Sequence, residues 1–136
     1  MTVKEAELEI IEDFNQFDEW LDKYEYLIDL GKDLAPLDEK YKTDENLIKG
    51  CQSRVWVHSE VVNGKIVFTA DSDAIITKGM ISLLIKIYSG RTAKEITDSD
   101  FAFVDAIGLR ENLSQTRSGG LSAMIAKIRE IASSQE

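Results

Sequence analysis

Residues 53–70, "SRVWVHSEVVNGKIVFTA", set two valine-rich runs on either side of an Asn-Gly pair. In the first run Val55, Val57 and Val61 fall on one face, and Trp56, His58 and Glu60 on the other. That is the alternation of a strand with two different faces. Asn63-Gly64 suits a type I′ turn, whose two central residues both need positive φ. The stretch therefore predicts strands over 53–62 and 65–70, paired as an antiparallel hairpin. No other segment has this pattern. The expected class is α+β, with helices covering one face of a small sheet.

On the N-terminal side, Ile10, Phe14, Phe17, Leu21, Tyr24 and Ile28 recur at helical spacing. They predict one amphipathic helix over about 7–30, stopped by Gly31. Residues 32–50 lack a period and contain Pro36, the only proline. On the C-terminal side, "DSDAIITKGMISLLIKIYSG" predicts a helix capped by Asp71, Ser72 or Asp73. Its apolar face is Ile76, Met80, Leu83, Leu84 and Ile87, and Gly90 ends it. Thr92 and Glu95 fit a capping box. "SDFAFVDAIG" predicts a short helix closed by Gly108. A last helix begins near Arg117, with Leu121, Met124, Ile125, Ile128 and Ile131 on one stripe.

The 136 residues suit one domain over 1–136, and no linker or repeat interrupts them. With 25 acidic against 16 basic residues the net charge is −9. Such a surface repels phosphate backbones and anionic membranes, which argues against nucleic-acid and membrane partners. The N-terminus is acidic where a signal peptide needs a basic head. The longest apolar run, "MISLLI", is too short to span a bilayer. A lone cysteine would be odd in a small secreted protein, so the expected compartment is the reducing cytoplasm. Nothing points to an obligate oligomer; a monomer or weak dimer is expected.

That cysteine, Cys51, lies in "IKGCQSRVW". It cannot close an internal disulfide, and alone it cannot hold zinc. Free cysteine is commonly buried and inert. Here it follows Gly50 in a polar run, with Lys49 and Arg54 close enough to favour a thiolate. Inert and reactive thiol both remain open on these residues. His58 is the only histidine, but a Cys51–His58 nucleophile pair is disfavoured. Seven positions along a strand put the two on opposite faces, and no oxyanion hole or third group is evident. "DSDA" starts like a calcium loop, but Ile76 and Ser82 stand where that loop needs glycine and glutamate. A helix cap is the better reading. "TRSGGL" at 116–121 lacks the spacing and lysine of a phosphate-binding loop, so it reads as the start of a helix.

"NLIKGCQSRVW", "ADSDAIITKGMISLLIKIYSG" and "TRSGGLSAMI" together resemble the SufE family and the related CsdE proteins. The likeness runs from about Ile11 to Ile131. One departure is that Gln115 and Thr116 stand where the family usually has a Pro-Ser pair. The resemblance implies a SufE/NifU-like fold with about three antiparallel strands, of which only two are legible. It implies a sulfur acceptor in iron–sulfur cluster assembly. Cys51 would take sulfur from a SufS-type cysteine desulfurase, stimulate that enzyme, and deliver the sulfur to a SufB-containing scaffold. Gly50, Gln52, Ser53, Asp73 and Arg117 would support the loop and the transfer, with no metal or cofactor on this chain. It further implies a cysteine turned inward at rest. The protein would be an accessory factor carrying a covalent persulfide, not an enzyme in its own right. The alternative is an interaction or regulatory domain with a structural cysteine. A third reading, a cysteine hydrolase, would turn over an ester or amide without a partner.

Overall fold

The hairpin forms at the expected place. In the computed structural model, which describes residues 1–135, β1 (Val55–Val62) pairs antiparallel with β2 (Lys65–Ser72). Val62 faces Lys65 across the turn. Asn63 has φ 53° and Gly64 φ 79°, the two positive values that a type I′ turn needs. Val55 and Val57 are buried on the inner face, but Val61 near the turn is 52% exposed.

Two strands form among the described residues, where about three were expected. The third is reduced to a bridge. Leu47 pairs with Trp56, the Ile48 amide donates to Val55 O at 2.8 Å, and the Val57 amide donates to Asn46 O at 2.9 Å. Only three residues run along the free edge of β1, too few to show an alternation.

The N-terminal segment is two helices, not one. α1 (Val3–Asn15) ends at Gln16, and α2 (Trp20–Lys32) begins after Glu19. The apolar spacing continues through the break, which is why periodicity missed it. Phe14 and Phe17 instead fold back on Tyr26, with ring centroids 5.1 and 5.6 Å away. Leu21, placed on the stripe by spacing, is 68% exposed. Nor does Gly31 stop α2, which runs on to Lys32.

α3 (Ile75–Tyr88) is the central element, with ten of its 14 residues buried. A helix apolar nearly all round belongs in a core. It packs on α2, on the hairpin and on the C-terminal helix. At the α2 crossing, Gly31 meets Gly79: a Cβ on Gly31 would lie 2.8 Å from the Gly79 nitrogen. The expected cap of α3 is absent. Its N-cap is Ala74, and no side chain caps the first turn.

Beyond α3, Thr92 and Glu95 form the expected capping box at α4 (Ala93–Thr97). α5 (Phe103–Ala106) ends at Gly108, whose φ is 74°. A further turn, α6 (Leu109–Asn112), carries no strong sequence signal. The C-terminal helix, α7 (Gln115–Ser134), begins after Ser114. Gly119 and Gly120 thus lie inside that helix, not ahead of it. Leu121, Met124, Ile125 and Ile128 are buried as expected. Among the described residues no helix is long and apolar enough to cross a membrane.

Candidate functional site

Cys51 sits at the tip of a hairpin loop, and both bases of that loop are tied down. On one side Ile48 is bonded to Val55. On the other, the Arg54 amide donates to Asp73 Oδ1 at 3.0 Å, and Ser72 Oγ donates to Arg54 O at 2.8 Å. Asp73 is therefore a tether of the loop base and not a helix cap. Between the anchors, no backbone hydrogen bond ties residues 49–53 to the body of the protein among the described residues. Gly50 has φ 99°, which only glycine adopts without strain. A Cβ there would also lie 3.2 Å from Ala123 Cβ on α7.

The thiol rests against α7. Cys51 Sγ lies 3.5 Å from Gly120 O, to which it can donate. A Cβ at Gly120 would lie 3.4 Å from the same sulfur. That is ordinary contact, so the sulfur packs directly against this turn of the helix. Cys51 is half-buried, and burial pushes its thiol above the ordinary range. In this resting position burial alone sets the direction of the shift.

Cys51, Gln52 and Ser53 line a cleft of about 510 Å³ together with the first turns of α3 and α7. Met80, Thr77, Ser114 and Arg117 also face it. The Arg117 guanidinium is held by the Tyr24 hydroxyl of α2 and lies over the Tyr24 ring, 5.9 Å from its centroid. The structure brings Cys51, Gln52, Ser53 and Arg117 together at this cleft. Gly50 lies behind the thiol against α7, and Asp73 at the loop base. Tyr24, Thr77 and Gly120 were missed as site residues. Tyr24 was hidden in an apolar stripe, and Gly120 in a helix-start motif.

The other candidates are engaged elsewhere. His58 Nε2 is 3.0 Å from Glu60 Oε1, and its ring stacks on Tyr41 at 3.7 Å. That places it on the outer face of β1. Asp71 pairs with Lys42 at 3.2 Å and Lys78 at 3.4 Å; desolvation pushes its carboxyl up, but the Ser72 amide and those cations hold it below the usual range.

The thiol should react slowly in the folded protein. Opening the loop against about 1.4 kcal/mol would already slow alkylation roughly ten-fold relative to the unfolded chain. The raised pKa acts in the same direction. Its share of the protection is complete below the unfolded thiol's pKa and vanishes as pH rises through the folded value. Asp73→Ala, which frees the Arg54 amide, should narrow the gap. Alkylation rates of folded and urea-unfolded protein across pH check this; equal rates at neutral pH would mean an open thiol.

The fold and the site together define a small α+β domain that presents one guarded cysteine from a hairpin loop. The family model "SufE: Fe-S metabolism associated domain" matches residues 8–132. A SufE-like protein of Rhizobium etli is 43% identical over 129 residues, covering 91% of this chain and 87% of that one. One of Rhizobium meliloti is 40% identical over 129 residues, covering 91% and 92%. The chain belongs to the SufE family, and hence to the proteins of iron–sulfur metabolism. The solution structure of a hypothetical protein from Thermus thermophilus shares the fold, with a TM-score of 0.79 at 19% identity, covering 96% and 95% of the two chains.

Proposed function

We propose that this chain is one SufE-like domain that accepts sulfur on Cys51 from the persulfide of a SufS-type cysteine desulfurase. The Cys51 thiolate attacks the outer sulfur of the donor persulfide. A new S–S bond forms on Cys51, the donor's S–S bond breaks, and the donor cysteine leaves as thiolate. No net oxidation occurs. Clearing the donor's thiol stimulates the desulfurase. The sulfur then passes to a SufB-containing scaffold, in the cytoplasm.

One observation carries the reading: a single thiol sits at the tip of an unanchored five-residue stretch whose two bases are fixed. Cys51 is three residues from Ile48 and three from Arg54, so an extended loop can carry it roughly 10 Å from its base. That is enough to take the thiol out of its cleft and into a partner's site while the fold stays intact. A second thiol nearby would attack the persulfide and release sulfide; the chain has none.

The test is to incubate the protein with a desulfurase and free cysteine, and then to weigh it. Cys51 should gain one sulfur atom, removable by a reductant. A mass that never changes would favour the alternative, an interaction domain whose half-buried cysteine is structural.

A further inference from the structure

Two long helices begin at the cleft beside Cys51, and neither is fully capped. In α3 (14 residues) the amides of Ile75, Ile76 and Thr77 have no hydrogen-bond partner among the described residues. In α7 (20 residues) Ser114 Oγ accepts from the Arg117 amide at 3.3 Å, and the amides of Gln115 and Thr116 are left over. Neither helix has an acidic residue in its first turn, whereas α1, α2 and α4 each do. Orphan amides at the positive end of a helix dipole suit an anion.

Thr77 points the same way independently. It is only 7% exposed and lines the cleft, and its hydroxyl has no partner among the described residues. A helical threonine can donate to the carbonyl four residues back, and this one does not. The residue is buried, but its hydroxyl oxygen is not sealed off, so it is open to whatever occupies the cleft. Arg117 adds a guanidinium to the same cleft. The nearby Asp73 carboxylate is engaged by the Arg54 amide.

We propose that this cleft is an anion seat for the charged outer sulfur of Cys51 once that residue carries a persulfide, with the Thr77 hydroxyl, the α3 amides and Arg117 as its donors. The proposal rests on the sulfur-acceptor reading above. The resting contact changes of necessity on loading. The thiol donates its proton to Gly120 O; a persulfidated Sγ has none to give. The outer sulfur stands about 2.05 Å beyond Sγ and ionises to the perthiolate by losing its proton to solvent. A carbonyl oxygen repels that charge, so the outer sulfur turns from Gly120 towards the cleft. Burial thus suppresses ionisation of the empty carrier, while the donors promote ionisation of the loaded one.

The persulfide is installed on Cys51 with sodium polysulfide, without any desulfurase. Its ionisation is followed by the pH dependence of alkylation at the outer sulfur. The midpoint in the folded protein should lie below that of the urea-unfolded persulfidated chain. Thr77→Val, nearly the same shape, should raise it by about one pH unit, as expected for a lost hydrogen bond to a charged group. Thr77→Ser should keep the low midpoint, and Arg117→Ala should raise it. A folded midpoint at or above the unfolded one overturns the proposal; so does a midpoint unmoved by both Thr77→Val and Arg117→Ala. Failure of a desulfurase to load Cys51 would strike the acceptor reading instead, because the sulfur here comes from polysulfide.

Discussion

Cys51→Ser is expected to abolish stimulation of the desulfurase and all sulfur uptake, while the fold survives. The chain has no other thiol that could substitute. Serine is close in size, and its hydroxyl can still donate to Gly120 O, the partner that Sγ reaches at 3.5 Å. The change in stability should stay under about 1 kcal/mol, a shift in Tm of roughly 5 °C or less for a chain of this length. Steady-state desulfurase turnover with and without the variant, beside a thermal melt, separates chemistry from folding. Full stimulation by the serine variant would show that this chain acts by binding alone. Loss of both stimulation and folding would make Cys51 a packing residue.

The parts of this fold that were legible in the sequence are those set by local chemistry. Asn63-Gly64 specifies its turn through two backbone angles, and the flanking alternation specifies the strands. The Thr92–Glu95 box and Gly108 are equally local. What periodicity could not see was a turn that preserves the period. Phe14, near the end of α1, and Phe17, inside the turn, keep helical spacing in sequence, and both pack on Tyr26. The third strand escaped because it is a bridge of a few residues, paired through backbone groups that any sequence supplies.

The candidate site was legible in its cysteine and less so in its surroundings. Cys51 stood out by being alone, and the loop motif around it is specific. Its resting place is a long-range property. Gly120 is 69 positions away, and its meaning depends on a loop arriving at that turn of α7. Glycine there looked like a helix boundary because glycine disfavours helix interiors. Its part is spatial: its carbonyl oxygen is the one that faces the sulfur atom. Asp73 by its position alone looked like a cap, since acidic residues suit helix starts; the family resemblance made it a support of the loop. Asp73 tethers the loop and leaves α3 uncapped, so one residue accounts for both the fixed loop base and the free amides at the cleft.

Gly79→Ala is expected to be the most damaging change outside Cys51 itself. The α2–α3 crossing has no room for a side chain. A Cβ at Gly79 would lie 2.9 Å from the Leu27 carbonyl carbon and closer still to its oxygen, with the Leu27 side chain at 3.1 Å. Backbone cannot move aside as a flexible side chain can, so the helices must separate. Overpacking of this kind costs about 1–3 kcal/mol or more, or roughly 3–15 °C in Tm at this chain length. The loss should extend to function, because the two helices also build the site. α3 brings Thr77 and Met80 to the cleft, and α2 brings the Tyr24 hydroxyl that holds Arg117. Parting them should loosen the Cys51 loop as well. The variant should melt lower, and its thiol should alkylate faster at a temperature where it is still folded. Gly31→Ala, whose Cβ would meet the Gly79 nitrogen at 2.8 Å, should have the same two effects. A Gly79→Ala protein with unchanged melting and unchanged thiol reactivity would mean that α2 and α3 do not cross at this distance in solution.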